Sequence, residues 1–158
     1  MKQITSIAVI VMMFLTACGQ QVKNKPTKYE ITKTDTEWKK LLTPTAFEIM
    51  VKRGTEAPYK NKYYNNHEKG IYVSASTGEP LFSSDDKFDS GTGWPSFTKP
   101  ISSKLVMVVK DDSFGMSRDE VVEAKTGLHL GHVFDDGPKD KGGLRYCMNS
   151  GALKFIKK

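Results

Sequence analysis

Residues 127–155, GLHLGHVFDDGPKDKGGLRYCMNSGALKF, contain the pattern from which the fold can be predicted. Apolar and polar residues alternate in short segments at 128–134 and 145–149 and again at 152–157, and a cluster of Gly, Asp, Pro and Lys separates the first two segments. Alternation with a period of two is typical of half-buried strands, and short gaps rich in turn residues are typical of antiparallel pairs. This stretch therefore predicts consecutive antiparallel strands.

The same pattern extends toward the N-terminus. Segments 71–76, 104–110 and 119–125 are β-branched or alternating and are bounded by turn clusters. Two short helices are predicted before them, with Thr43 and Pro44 as the N-cap and first residue of the second. We therefore predict a mainly β domain with antiparallel strands and short N-terminal helices. The apolar faces of the helices are predicted at Trp38, Leu41, Leu42, Ala46, Phe47, Met50 and Val51.

The N-terminus predicts export. Lys2 precedes an uncharged apolar run over residues 3–17, the pattern of a signal peptide, and this run is short of the ~20 residues that span a bilayer. Leu-Thr-Ala before Cys18 is similar to the lipobox of bacterial lipoproteins, in which the cysteine is lipidated. We expect a lipoprotein signal peptide over 1–17 and an anchor at Cys18, on the outer side of a cell-envelope membrane. An ordinary signal peptide would instead leave Cys18 as a thiol.

The rest of the chain divides into a tether and one domain. Residues 18–35 are almost entirely polar and predict a flexible linker, and residues 36–158 suit a single domain with its own core. The net charge is +6, but the cations are scattered, which argues against nucleic-acid binding. No phosphate-binding or dinucleotide-binding motif is present.

Cys147 is the candidate nucleophile. In a strand over 145–149, alternate side chains share a face, so Arg145, Cys147 and Asn149 project together. A guanidinium beside the thiol is expected to favour the thiolate, which is the nucleophilic form. The alternative is that Cys147 is a small buried apolar residue.

Two histidines and a tryptophan are the other candidates. His129 and His132 are three residues apart, which in a regular strand places them on opposite faces, but Gly131 permits a bulge that brings both to one site. There they would donate or accept protons near neutral pH; otherwise they are structural or half of a zinc site. Trp94 lies in the loop 89–97, either as the wall of an apolar pocket or as a core residue.

Residues 38–158 resemble the B-type methionine-(R)-sulfoxide reductases. The segments that carry the resemblance are RGTEAPY, GIYVSASTGEPLFSSDDKFDSGTGWPSF and the stretch 127–155 quoted above. The resemblance implies twisted antiparallel sheets arranged as in the β-tent domains of that family. It also implies reduction of the R epimer of methionine sulfoxide, free or peptide-bound.

The resemblance further implies roles for individual residues. Cys147 would attack the sulfoxide sulfur, release methionine and become a sulfenic acid. Polar side chains would position and protonate the sulfoxide oxygen, a cation would lie beside the cysteine, and two aromatic side chains would bind the substrate. The residues at the positions that act on the sulfoxide oxygen are His129, His132 and Asn149. Arg145 is the cation beside the cysteine, and Trp94 and Phe97 are the two aromatic residues.

Two departures from the family pattern predict what is unusual here. Many members bind a structural zinc through two CxxC pairs, and we expect no zinc because the corresponding positions lack cysteine and histidine. Many members also carry a resolving cysteine where this chain has Thr92, so an external thiol, small or thioredoxin-like, must reduce the sulfenic acid. The four positions that correspond to the zinc ligands are Ser74, Thr77, Glu123 and Thr126.

Three other functions share some of these sequence features. A lipid-anchored binding module of the same fold, without turnover, is suggested by the missing family cysteines. A cysteine hydrolase is suggested by the combination of Cys147, a histidine and Asn149. A thiol peroxidase lacks the expected threonine-rich loop and helix-borne cysteine. The sequence favours a reductase that repairs oxidised exported proteins or free methionine sulfoxide.

Overall fold

The structure is a computed structural model that describes residues 29–112, 115 and 117–158. The predicted signal peptide, the lipidation at Cys18 and the first part of the predicted linker lie outside the described residues. No helix in the described ranges is long and apolar enough to cross a membrane.

Two short helices open the domain, as predicted. Helix α1 spans Asp35–Leu41 and is preceded by a capping box between Thr34 and Glu37. Helix α2 spans Pro44–Met50, with the Thr43 hydroxyl accepting from the Ala46 amide and Pro44 in the first turn. One prediction was wrong: Leu41 is 62% exposed, because α1 ends there. The buried helix residues are Trp38, Ala46, Phe47, Ile49 and Met50.

The strands form two antiparallel sheets, which confirms the mainly β prediction. Within the described residues, a three-stranded sheet has the order β2-β1-β9 and a six-stranded sheet the order β3-β4-β8-β7-β6-β5. The strands are β1 Gly70–Ser74, β2 Pro80–Ser83, β3 Lys87–Phe88, β4 Ser96–Phe97, β5 Val106–Asp111, β6 Arg118–Glu123, β7 His129–Phe134, β8 Arg145–Met148 and β9 Leu153–Lys157.

Aromatic rings join the two sheets. Phe97 of β4 is fully buried, with its ring centroid 4.6 Å from that of Phe82 on β2 and 5.0 Å from that of Tyr72 on β1. Side chains alternate along a strand, so Ser96 faces the opposite side, toward β8 and Cys147. Phe97 was expected to bind substrate, but the structure places it in the core.

The segment before α1 contacts the domain. The amide of Ile31 donates to the carbonyl of Lys125 at 2.9 Å, and the Ile31 side chain packs against the core. The end of the predicted linker therefore contacts the domain through Ile31. Tyr29 and Ile31 are large apolar residues in an otherwise polar stretch, and burying apolar surface favours their ordering.

Candidate active site

The central strand β8 carries Cys147 between two neighbours. Cys147 is opposite His132 on β7 and opposite Ser96 on β4. The close approach of β7 and β8 requires glycine at 131, since a Cβ there would collide with the carbonyl of Cys147. The cysteine and one of the candidate histidines are thus cross-strand neighbours.

The predicted bulge is present next to Gly131. Val121 of β6 pairs with Gly131, whereas the next residue, Val122, pairs with His129, so Leu130 is an extra residue in β7. The imidazole centroids of His129 and His132 consequently lie 5.3 Å apart. The bulge brings together two side chains that a regular strand would separate.

A buried carboxylate holds the first of these histidines. Nδ1 of His129 donates to Oε1 of Glu120 at 2.7 Å, and Glu120 also pairs with Arg53. Burial would raise the pKa of Glu120, but the hydrogen bonds from His129 and Arg53 outweigh it and lower that pKa. Glu120 therefore stays ionised at neutral pH.

A second carboxylate holds the other histidine. Nε2 of His132 donates to Oδ2 of Asp111 at 3.0 Å, and Arg118 bonds the same oxygen at 2.8 Å. Burial lowers the pKa of His132, and the opposing effect of Asp111 does not offset it. The neutral ring is therefore favoured at pH 7. A neutral imidazole accepts a proton and passes it on, which suits a relay.

Sequence reasoning missed both carboxylates. A usable signal was present for Glu120, which precedes Val121 and Val122 in a strand, because a carboxylate buried in such a segment requires a partner. Asp111 ends a strand distant in sequence from His132, and only the pairing of β5, β6 and β7 brings the two together.

A small cavity opens beside the cysteine. Its volume is about 140 Å³, and it adjoins a charged cleft of about 500 Å³, with Thr55, Arg118 and His132 lining both. His129 faces the charged cleft and is 2% exposed, so of the two histidines His132 faces the thiol. The lining residues of the small cavity are Thr55, Trp94, Arg118, Gly131, His132, Phe134, Cys147, Met148 and Asn149.

Asn149 follows β8 and has its amide fixed. Its Oδ1 accepts from the Glu56 amide at 3.2 Å, and its Nδ2 donates to the Leu130 carbonyl at 3.2 Å and lies 3.4 Å from Nε2 of His129. The indole Nε1 of Trp94 donates to the Glu56 carbonyl at 3.1 Å. The side chains of Asn149 and Trp94 are thus both held by the main chain of Glu56.

The surroundings of Cys147 differ from the prediction in one respect. Burial raises the pKa of the Cys147 thiol, while Arg145 and the hydroxyls of Thr92 and Ser96 lower it without reversing the shift. Arg145 is engaged by Asp136 through two hydrogen bonds, at 2.7 and 2.8 Å. The guanidinium favours the thiolate as expected, but desolvation is larger and the resting thiol is protonated.

The alkylation of Cys147 by iodoacetamide tests this balance. We expect its midpoint pH to lie above the ordinary thiol value of about 8.5. Arg145→Met removes the attractive charge, so the midpoint rises further and the rate at pH 8 falls. Peptide-level mass spectrometry separates Cys147 from Cys18, and Lys104→Met controls for net charge. A wild-type midpoint below the ordinary value, or no response to Arg145→Met, would contradict the assigned environment.

The geometry of the site indicates the class of protein. A half-buried thiol at the side of a small cavity, with a neutral imidazole opposite and an indole nearby, belongs to an enzyme that uses cysteine chemistry on a small group. The SelR domain family model matches residues 42–157. The chain is 51% identical over 129 residues to the peptide methionine sulfoxide reductase MsrB of Leptospira interrogans serogroup Icterohaemorrhagiae serovar Lai (strain 56601), covering 82% of this chain and 98% of that protein. The chain belongs to the B-type methionine sulfoxide reductases, a family of oxidoreductases that act on sulfur.

The four positions of the family zinc ligands form a hydrogen-bonded cluster. The Glu123 carboxylate is 1% exposed and accepts from Ser76 at 2.7 Å, from Thr126 at 2.7 Å and from Thr77. Ser74 lies 2.9 Å from the Ser76 hydroxyl. Tetrahedral zinc prefers thiolate and imidazole ligands. These positions offer hydroxyls and a single carboxylate that already accepts hydrogen bonds, so they do not fit a zinc ion. The cluster joins the β1–β2 turn to the β6–β7 turn.

Proposed function

We propose that the protein reduces methionine-(R)-sulfoxide, free or in proteins, with Cys147 as the nucleophile and without an internal resolving cysteine. The observation that carries this proposal is the cavity of about 140 Å³ that combines the thiol with the indole of Trp94 and the imidazole of His132. An apolar wall and a polar group facing each other suit a thioether chain that carries one oxygen.

The chemistry follows from the resting protonation states. The Cys147 sulfur bonds to the sulfoxide sulfur, the S–O bond breaks, and the oxygen ends on Cys147 while methionine leaves. Thiol and sulfoxide thus give sulfenic acid and thioether, with the cysteine sulfur oxidised and the substrate sulfur reduced. Because Cys147 starts protonated and His132 neutral, His132 accepts the thiol proton and returns it to the departing oxygen.

Three chemically different walls support selection of one epimer. With the oxygen toward His132, the methyl group against Trp94 and the main chain toward the charged cleft, a single configuration presents its sulfur to Cys147. A thiol-driven assay on the separated epimers tests the proposal. We expect consumption of the R epimer alone; consumption of only the S epimer, or of neither, would overturn it.

The second half of the cycle needs two thiols from outside the protein. A sulfenic acid and two thiols give the restored cysteine, one disulfide and water. Cys147 is the free cysteine of the described residues, and the neighbouring Thr92 hydroxyl, 4.0 Å from its sulfur, forms no disulfide. A small thiol or a thioredoxin-like dithiol protein is the proposed reductant.

Thr92→Cys is expected to convert the enzyme to internal resolution. The new thiol replaces a hydroxyl that lies 4.0 Å from the Cys147 sulfur, so it is placed to attack the sulfenic acid. After one turnover without reductant, non-reducing peptide mapping should find a disulfide between positions 92 and 147. Thr92→Val is the control and should keep the sulfenic acid. Persistence of the sulfenic acid in Thr92→Cys would show that the assigned geometry is wrong.

We propose that the enzyme works without zinc and has the hydrogen-bonded cluster around Glu123 at the position where many family members bind zinc. Metal analysis of the purified protein should then find far less than one zinc ion per chain, and treatment with a chelator should leave both unfolding and activity unchanged. About one tightly held zinc per chain would contradict this proposal.

We also propose that the protein is anchored in a cell-envelope membrane through Cys18 and acts on oxidised exported proteins. The sequence before Cys18 supports this proposal. A labelled fatty acid should be incorporated into the wild type but not into Cys18→Ala; equal labelling would exclude this anchor.

A further inference from the structure

We infer that Glu56 is a positioning residue for this site, one that holds Trp94 and Asn149 in place from behind the substrate cavity. The inference rests on the proposed function only for its kinetic consequence. Its structural part concerns how a single residue ties two separate loops together around Cys147.

All four polar groups of Glu56 form hydrogen bonds, one with Trp94 at the substrate cavity and three with the segment that follows Cys147. Its amide donates to Asn149 at 3.2 Å and its carbonyl accepts from the Trp94 indole at 3.1 Å. One carboxylate oxygen accepts from the Ser150 amide, and the other accepts from the Gly151 amide at 3.0 Å. The partners in these four bonds are 38 to 95 positions away in the sequence.

The carboxylate does not touch the substrate cavity. Thr55 lines that cavity, whereas Glu56 lines a separate cavity of about 470 Å³, together with Asn61, Tyr63 and Ser150. Glu56 therefore acts through its neighbours. The turn Ser150–Ala152 begins directly after Asn149. Because Glu56 holds the amides of the first two turn residues, it also restricts the position of Asn149.

The side chain is chemically suited to this position. Two amides at the start of the turn need acceptors, and a carboxylate supplies two oxygens, whereas a glutamine supplies one and adds an NH₂ group that repels an amide donor. Burial raises the pKa of Glu56, and the amides of Ser150 and Gly151 oppose that shift. Replacements at this position keep the main-chain amide and carbonyl but release residue 56 from the turn, so any loosening of the bonds to Asn149 and Trp94 comes from the lost carboxylate.

The test compares Glu56→Ala and Glu56→Gln with the wild type in steady-state assays on the R epimer and in NMR of protein labelled with ¹⁵N-tryptophan. The chain has two tryptophans, so the spectrum has one indole signal each for Trp38 and Trp94. We expect Glu56→Ala to shift the Trp94 signal, to speed its hydrogen exchange and to lower kcat/KM by about 10- to 100-fold, mainly through KM. The Trp94 signal and kcat/KM of Glu56→Gln should lie between those of the wild type and Glu56→Ala. The Trp38 signal should not move in either variant.

Glu79→Ala is the matched control, because Glu79 is also partly buried and paired but lies at the Glu123 end of the sheets. It should leave KM and the Trp94 signal unchanged. An unmoved Trp94 signal in both folded Glu56 variants, or an equal change in KM in Glu79→Ala, would overturn the inference. A wild type that reduces neither epimer would defeat the proposed function instead, while the NMR comparison would still decide the role of Glu56.

Discussion

Cys147→Ser is expected to lower turnover of methionine-(R)-sulfoxide on the order of 10⁶-fold, the scale seen when a catalytic nucleophile is removed. A serine hydroxyl is a far weaker nucleophile than a thiol, and the histidine opposite, held by Asp111, does not compensate for the lost sulfur. Serine has nearly the same volume as cysteine, so the free energy of unfolding should change by about 1 kcal/mol or less. Steady-state assays and urea unfolding of the same preparations measure both effects.

The matched control is Cys18→Ser, which removes the other cysteine of the chain. It should leave the activity of the purified protein unchanged. This comparison also tests the alternative of a lipid-anchored binding module without turnover, since a pure binder would be little affected by either change. Equal activity of Cys147→Ser and wild type would overturn the assignment of the nucleophile.

Glu123→Ala is expected to have the largest effect on stability, a loss of about 3 kcal/mol or more. The substitution leaves the hydroxyls of Ser76, Thr77 and Thr126 without their shared buried acceptor, each at a cost of about 1 kcal/mol or more. It also disconnects the turn after β1 from the turn after β6. Urea unfolding followed by circular dichroism measures the change.

Glu123→Gln should lose less, because its amide oxygen still accepts from one or two hydroxyls. Glu79→Ala serves as the control at the same end of the sheets, because its pairing with Lys125 is half-exposed and such pairs contribute little. A loss below about 1 kcal/mol in Glu123→Ala would show that the cluster contributes little to the stability of this end of the sheets.

Features set by local sequence could be predicted. Thr43 and Pro44 encode the start of α2 through capping and a fixed φ, and the alternating segments encode strands through their period. The bulge at Leu130 also followed from local chemistry, because a glycine between two histidines permits the irregularity. The face shared by Cys147 and its neighbours in β8 required only strand geometry.

Features set by tertiary packing could not be predicted in this way. Trp94 lies in a loop and Phe97 lies three residues later on β4, and only the arrangement of the two sheets decides that Trp94 lines the cavity while Phe97 fills the core. The pKa of Cys147 is raised because distant segments bury the thiol, and this effect outweighs the opposite effect of the nearby Arg145. The contacts of Glu56 join positions up to 95 residues apart and have no periodic signature.

The proposed reaction transfers the oxygen of methionine-(R)-sulfoxide to the sulfur of Cys147. The most direct test is one turnover of reduced protein with one equivalent of the R epimer and no thiol, followed by dimedone trapping and peptide mass spectrometry. The account predicts one methionine released per chain and a dimedone adduct on Cys147, with no reaction of the S epimer. Methionine formed without oxidation of Cys147, or an adduct formed equally with the S epimer, would contradict it.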